Sequence, residues 1–257
     1  MNYNNIISAL HDWCVEKADK FSKEYEEAGG TIWIKASTAG ELSFKLSMLI
    51  DKDFDSVDSL MDAIESMIEV HCDFGLKHSA NETAVTRYQI SKIYDEFRQY
   101  MKSVCAPDLV LPEMKSYERV IVGEEADAII KKIKDVWGYV NTDFWYPICG
   151  NEQDHIPNKA FIMSEYFENE WDKVSALLGC SEKHIYSYGE SAYDIPFCME
   201  VDKIEDCSCS EWVYTDKDFT WFIYFCHEDT VAFAGSITEL IKETFKDKAE
   251  HWNRYEG

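Results

Sequence analysis

The stretch WFIYFCHEDTVAFAGSITEL, residues 221–240, decides how the chain ends. Its first six residues are apolar on both alternating faces, which is typical of a strand buried inside a sheet. TVAFA, residues 230–234, predicts the partner strand, and the polar HED before it predicts the hairpin turn. Gly235 closes this second strand, and Ser236 with Glu239 forms a capping-box pattern that begins a helix. We therefore predict a terminal strand–turn–strand–helix unit.

The predicted turn raises a chemical question, because Cys226, His227, Glu228 and Asp229 are consecutive. A thiol beside an imidazole is the pairing that cysteine nucleophiles use. Adjacent residues of a strand point to opposite faces, so a strand that runs through Cys226 and His227 separates their side chains. We predict a turn at this point and no catalytic residue.

The N-terminal part of the chain, residues 1–106, predicts a mainly helical domain. The first helix has apolar residues near the helical period, at Ile7, Leu10, Cys14, Phe21 and Tyr25. A short strand is predicted at residues 31–36, and three further helices follow at 38–49, 57–74 and 82–104. Thr38 and Glu41 form the capping-box pattern of the second helix. Pro107 and Pro112 mark the end of this part.

The remainder, residues 113–257, predicts an α+β domain with an acidic face. Strands are predicted at 117–122, 143–148, 160–163, 184–189 and 211–218, before the terminal hairpin. Helices are predicted at 124–137 and 164–178. The predicted fold class is therefore α+β, with a helical N-terminal part and a mixed C-terminal part.

The charge balance limits the kinds of partner. The chain has 25 lysines and arginines against 49 acidic residues, a net charge of −24. This argues against nucleic acid, since phosphate contacts need clustered basic side chains. Two thirds of the net charge, −16, belongs to residues 111–257. Such a charge either keeps the protein soluble or attracts a basic protein partner.

The location of the protein is predicted from three further features. No apolar run approaches the roughly 18 residues that a membrane span needs. The first residues, MNYNNIISALHDWC, lack a basic leader and an apolar core of an export signal. The nine cysteines are an odd number, which favours free thiols in a reducing compartment. We predict a cytoplasmic protein that contacts no membrane.

The most acidic stretch is residues 190–229, which contain 11 acids and two bases. Aromatic residues rimmed by charge are common anchors of protein interfaces. An ordinary aromatic sheet beside a solvated loop gives the same pattern. We predict that the partner-binding residues are Glu200, Asp202, Glu205, Asp206, Trp212, Asp216 and Asp218.

Two stretches of the sequence partly match metal-binding patterns, and neither match is complete. Residues 51–62 place acids at several positions of a calcium loop, but Ser56 stands where the turn needs glycine. An acidic, capped first turn of a helix explains the stretch. Cys207 and Cys209 lack the second ligand pair of a structural zinc site. We predict no metal and no cofactor.

The segment EWVYTDKDFTWFIYFCHEDTVAFAGSITELIKE resembles the C-terminal strand–turn–strand–helix of bacterial immunity proteins from polymorphic toxin systems, including SUKH-like ones. The tryptophan strand, the His-Glu turn, AFAGS and the closing helix carry the resemblance. It implies an acidic, non-enzymatic, cytosolic protein that covers the active site of a toxin. The resemblance covers about a seventh of the chain and does not extend to the helical part.

Two function classes follow from these observations. The first is a non-catalytic acidic binding protein that blocks a basic toxin enzyme by steric and electrostatic means. The alternative is a cytosolic hydrolase with a histidine and a carboxylate between the two parts of the chain, using His155, His184 or His227. A scaffold protein that oligomerises through exposed aromatic residues is a third possibility.

Overall fold

The computed structural model shows an α+β protein, as predicted. It describes residues 2–28, 32–78, 84–106, 109–114, 117–139, 145, 156, 158–179, 183–189, 195–205, 207 and 210–255. The chain forms two compact units, Met1–Arg119 and Val120–Gly257. Among the described residues, no helix is both long and apolar enough to cross a membrane.

In the part of the first unit that the structure describes, the chain forms four helices. They are α1 (Tyr3–Ala28), α2 (Ile32–Ser47), α3 (Val57–His78) and α4 (Ala84–Val104). The predicted apolar stripe of α1 is buried in one core with residues of the other three helices. Tyr25 is the exception, because its side chain is exposed. Burial of these amphipathic faces against one another, more than intrinsic propensity, stabilises such helices.

The strand predicted at residues 31–36 is wrong, because residues 32–36 begin α2. Ile32 and Ile34 alternate as in a strand, but the buried positions continue as Ile34, Leu42 and Leu46, at helical spacing. Thr38 does not cap the helix. It lies inside α2, where its hydroxyl donates a hydrogen bond to the Ile34 carbonyl over 2.7 Å.

The chain beyond the two prolines stays with the helical unit before the division after Arg119. Leu111 and Met114 pack against its core. The Tyr117 hydroxyl donates a hydrogen bond to Asp51 Oδ2 over 2.7 Å, and Arg119 Nε lies 4.0 Å from the same oxygen. These contacts explain why the second compact unit begins at Val120.

Among the residues that the structure describes, seven strands form one sheet in the order β1-β4-β3-β5-β6-β7-β2. The strands are β1 (Glu118–Val120), β2 (Ala160–Met163), β3 (His184–Gly189), β4 (Phe197–Glu200), β5 (Trp212–Asp216), β6 (Trp221–Cys226) and β7 (Thr230–Gly235). Each pairing from β4 through to β2 is antiparallel. The described part of the second unit also contains three α-helices, which are α5 (Glu124–Trp137), α6 (Trp171–Leu178) and α7 (Thr238–Thr244).

Strand β6 is buried on both faces, as its apolar sequence predicted. On one face Trp221, Ile223 and Phe225 join a core cluster with residues of α6 and α7. On the other face Phe222 stacks on Trp137, with ring centroids 5.3 Å apart, and Tyr139 and Trp145 surround it. Of the strand predicted at 143–148, Trp145 is described and lies outside any strand.

Two predicted helices differ from the structure. The segment 164–178 is divided into a short 3-10 turn, Ser164–Tyr166, and α6. Its first residue, Ser164, is held by the hairpin turn, because its backbone N–H and its hydroxyl both donate to the Asp229 carbonyl. The closing helix begins at Thr238 without the predicted capping box. Leu240, an apolar residue of this helix, is 47% exposed.

Burial of Tyr214 predicts a loss of stability at high pH. Burial, with Cys207 Sγ 3.4 Å from the hydroxyl, raises the pKa of Tyr214 far above its ordinary value. An unfolded tyrosine ionises near about pH 10, so the free energy of unfolding falls as the pH rises beyond that value. In urea unfolding, Tyr214→Phe removes this group's contribution of about 1.4 kcal/mol per pH unit. Equal slopes for variant and wild type above about pH 10 would show that the hydroxyl is not desolvated.

Candidate functional site

The structure divides the predicted partner-binding residues among separate places. Asp206 lies outside the described residues. Asp216 and Trp212 lie at opposite ends of β5, and Asp218 lies in the turn that follows this strand. Glu200 ends β4, and Asp202 belongs to the 3-10 turn Val201–Lys203 directly after it. Their surroundings differ, so each place is considered by itself.

Asp216 has a structural role, so it is not part of the partner-binding surface that we propose below. Its side chain is buried, with 6% of the residue exposed. Oδ1 accepts hydrogen bonds from the backbone N–H groups of Thr220 and Trp221, at 2.6 and 3.2 Å, and Oδ2 accepts one from the Thr220 hydroxyl at 2.6 Å. The carboxylate therefore organises the turn between β5 and β6.

Removal of this carboxylate is expected to destabilise the protein. Asp216→Ala leaves two buried or half-buried N–H groups and a hydroxyl without their acceptor, so we expect a loss of about 2 kcal/mol in urea unfolding. Asp218→Ala is a matched control two residues away, because this side chain is exposed. Its effect should stay within about 0.5 kcal/mol. Equal losses for the two variants would contradict the role given to Asp216.

Trp212 and Asp218, two further residues predicted to bind the partner, do not lie on a strongly acidic surface. The Trp212 indole N–H donates to Ser187 Oγ over 2.8 Å, and its backbone pairs with Gly189 and Phe225. Asp218 lines a groove that also contains Lys132 and Lys217, so opposite charges are mixed there. Neither residue contributes to a concentrated negative surface.

A different arrangement surrounds Asp202. A groove of about 420 Å³ is lined by Asp172, Ser175, Ala176, Gly179, Val201 and Asp202, and we call it the acidic groove. Asp172 and Ser175 come from α6, one turn apart, and Asp202 comes from the 3-10 turn that packs against this helix. Within the described parts of the chain, no ion pair joins the carboxylate of Asp172 or Asp202 to a basic side chain. The groove therefore has two negative charges without internal compensation.

Ser175 gives the acidic groove a second polar feature. Its residue is 6% exposed, and its hydroxyl oxygen has no hydrogen-bond partner among the residues that the structure describes. Buried polar side-chain atoms nearly always have a partner, so this hydroxyl is suited to a group that enters the groove. Glu205 is exposed three residues beyond Asp202, whereas Glu200 lies 3.9 Å from Lys183. A lysine or arginine side chain matches these groups chemically.

The hairpin turn contains a cluster that the sequence did not predict. Glu211, directly before β5, is buried, and Tyr224 donates its hydroxyl hydrogen to Oε2 of this carboxylate. Oε1 faces Nδ1 of His227 and accepts the His227 backbone N–H over 3.2 Å. Cys226 Sγ, a His227 ring nitrogen and a Glu211 oxygen all lie within 4.8 Å of one another. We call Glu211, Tyr224, Cys226 and His227 the Glu211 cluster.

The side chains of Cys226 and His227 are not held apart as the strand alternation predicted. HED is the hairpin turn, as predicted. However, β6 ends at Cys226, so His227 lies in the turn and its side chain need not point to the opposite face from Cys226. Both side chains can therefore turn toward Glu211. Burial is the main cause that raises the pKa of the Cys226 thiol, which keeps the thiol protonated at neutral pH and disfavours a nucleophilic role.

The other candidate residues have structural partners or lie outside the described residues. His155 and Cys209 are outside them, and His184 pairs with Glu200 between β3 and β4. In the segment weighed as a calcium loop, Ser56 and Ser59 exchange reciprocal hydrogen bonds from backbone N–H to hydroxyl, each 3.1 Å long. This is the capped helix start that was predicted as the alternative to calcium.

Comparison of the chain with protein-family models, with curated proteins and with solved structures finds no match. The functional interpretation therefore depends on the chain's own residues. Asp172, Ser175 and Glu211 were missed in the sequence because their partners lie at distant positions. The pattern SEYFENEWDKVSALL placed Asp172 and Ser175 on a helix but did not show what faces them.

Proposed function

We propose that the protein is a non-catalytic acidic module that binds a basic protein, and that the acidic groove receives a lysine or arginine of that partner. The observation that carries the proposal is the pair Asp172 and Asp202, which flank one groove without an ion pair among the described residues. Glu205, exposed three residues after Asp202, adds a further negative charge. A cytoplasmic location belongs to the same proposal.

The chemistry of the groove favours a cation. A guanidinium or ammonium group between two carboxylates forms charge-assisted hydrogen bonds, which are stronger than hydrogen bonds between neutral groups. The Ser175 hydroxyl oxygen can accept a further hydrogen bond from the same group. The groove, with a volume of about 420 Å³, has room for a long basic side chain, which would displace water on entering. One inserted side chain with a charged rim is a common design of interface anchors.

The charge of the second unit supports the same partner. Residues 120–257 contain 28 acids and 12 bases, whereas residues 1–119 contain 21 acids and 13 bases. A field of one sign accelerates the encounter with a partner of opposite sign and repels acidic competitors. The resemblance of the terminal hairpin and helix to immunity proteins names the kind of partner. We propose a toxin enzyme with a basic active-site region, which this protein covers.

The experiment is affinity capture from the lysate of the native cell with the 257-residue chain as bait. Bound proteins are identified by mass spectrometry at low and at high salt. We expect one basic protein that is retained at low salt and weakened at high salt, because exposed charge pairs are screened within about 10 Å at 0.1 M salt. The captured protein is then purified, and its binding and enzymatic activity are measured with and without the bait.

Two results would overturn the proposal. One is a partner that is acidic or whose affinity does not change with salt. The other is capture of the same basic proteins by an Asp172→Asn, Asp202→Asn, Glu205→Gln variant as efficiently as by the wild type. The control neutralises Asp53, Asp55 and Asp58, which are exposed in the first unit. These three substitutions lower the net negative charge by the same amount.

A further inference from the structure

We propose that the Glu211 cluster is a binding site for a thiophilic divalent transition-metal ion such as Zn²⁺, with Glu211 Oε1, Cys226 Sγ and His227 Nδ1 as its three protein ligands. Carboxylate oxygen, thiolate sulfur and imidazole nitrogen are the ligand types that Zn²⁺ uses in proteins. The three atoms come from two places, the residue before β5 and the end of the β6–β7 hairpin strand. Sequence spacing does not show this triad, because Glu211 and Cys226 are 15 residues apart.

The positions of the three ligands suit a tetrahedral ion. Zn²⁺ bonds of about 2.0–2.3 Å separate neighbouring ligand atoms by roughly 3.5 Å. Cys226 Sγ, a His227 ring nitrogen and a Glu211 carboxylate oxygen already lie within 4.8 Å of one another, so small side-chain rotations bring the three groups to a shared ion. Glu211 Oε1 and His227 Nδ1 face each other directly, and an ion would replace the hydrogen between them.

The surroundings of the ligands add an independent argument. Metal-binding histidines usually donate their second ring N–H to a carboxylate, which fixes the tautomer. Here the Glu228 carboxylate lies 3.3 Å from His227 Nε2, so a proton on Nε2 leaves the Nδ1 lone pair for the ion. The Tyr224 hydroxyl holds the second oxygen of Glu211 in the same way. Both of the non-thiol ligands thus have an orienting partner.

The cluster also offers a route for the ion. The His227 side chain is 40% exposed, whereas Cys226 and Glu211 are buried. An ion enters from the side of the imidazole, and the Cys226 thiol releases its proton to solvent on binding. Three protein ligands leave the fourth position to water. The bound ion would fasten the start of β5 to the end of β6, at a site distinct from the acidic groove.

The test uses the whole 257-residue chain after removal of metals with a chelator. Titration with Zn²⁺ against a chromogenic chelator should show one tight equivalent, and Co²⁺ should give a thiolate-to-cobalt charge-transfer band with the visible spectrum of a tetrahedral ion. We expect Cys226→Ser and His227→Gln each to weaken Zn²⁺ binding by about 100-fold and to abolish the cobalt–thiolate band. Glu228→Gln, which perturbs an orienting partner, should weaken binding by about 10-fold.

Matched controls separate this site from other thiols and imidazoles. Cys198→Ser replaces an equally buried cysteine, and His11→Gln replaces a histidine of the first unit, and neither belongs to a three-ligand group among the described residues. Both should bind Zn²⁺ as the wild type does. The proposal is overturned if the wild type gives no cobalt–thiolate band, or if the band persists in Cys226→Ser. His227→Gln changes an exposed side chain, so it decides the question if Cys226→Ser does not fold.

Discussion

Replacement of Asp172 and Asp202 together by lysine is expected to lower the affinity for the captured basic partner by about 100-fold or more, which is about 2.7 kcal/mol of binding free energy. The two carboxylates flank the acidic groove without an ion pair among the described residues. The substitutions convert two attractions into two repulsions around the inserted cation. Titration calorimetry with the purified partner near physiological ionic strength measures the effect.

The matched control changes the same charge elsewhere. Asp53→Lys with Asp55→Lys lies on an exposed segment of the first unit and adds the same four units of positive charge. We expect a loss of affinity below about 5-fold, because exposed charges beyond the interface are screened by salt. Equal losses for both pairs would mean that net charge, and no particular groove, governs binding. Thermal unfolding of each variant confirms that the fold is retained.

The second large effect concerns the end of β7, where Gly235→Ala is expected to reduce the free energy of unfolding by about 2–5 kcal/mol. Gly235 has φ of 77°, in the left-handed region that L-residues with a Cβ seldom adopt. A Cβ built there lies 2.3 Å from the Thr220 carbonyl oxygen and 2.8 Å from the Trp137 ring. The carbonyl belongs to the backbone next to β6 and accepts the Ser236 N–H over 3.0 Å, so it cannot move freely.

Gly40→Ala is the corresponding control. Gly40 lies inside α2, and a Cβ at this position meets no other atom within 4 Å. Alanine in a helix interior is about 0.5–1 kcal/mol more favourable than glycine, so this variant should be more stable than the wild type. Urea unfolding followed by circular dichroism compares the two. A loss below about 1 kcal/mol for Gly235→Ala would show that the backbone between β6 and β7 relaxes around the added methyl group.

Local sequence patterns correctly predicted those elements whose apolar residues follow one period along the whole element. Strands β6 and β7 and the turn between them followed from an apolar alternation that is buried on both faces. The same rule failed at residues 31–36, because Ile32 and Ile34 satisfy a strand pattern over too few residues. The decisive burial of Leu42 and Leu46 comes from packing against α1, which a short window does not contain.

The site was less predictable than the fold because charge alone does not show what a carboxylate contacts. Asp216 and Asp218 look alike in TDKDFT, yet one is buried in a turn and the other is exposed. The spacing of Asp216 and Thr220, with a carboxylate four residues before a hydroxyl, is typical of a turn, and the strand predicted at 211–218 overlooked it. Asp172 and Asp202 are 30 residues apart, and folding of α6 against the turn after β4 brings them to one groove.

The most direct test of the central claim is carbodiimide cross-linking of the complex with the captured partner, followed by peptide mapping. This reagent joins a carboxylate to a lysine amine without a spacer, so it reports carboxylates that contact a basic side chain. We predict cross-links from Asp172, Asp202 or Glu205 to one lysine region of the partner, and their loss in the Asp172→Asn, Asp202→Asn, Glu205→Gln variant. Cross-links that map to residues 51–62, or elsewhere in the first unit, would contradict a partner site at the acidic groove.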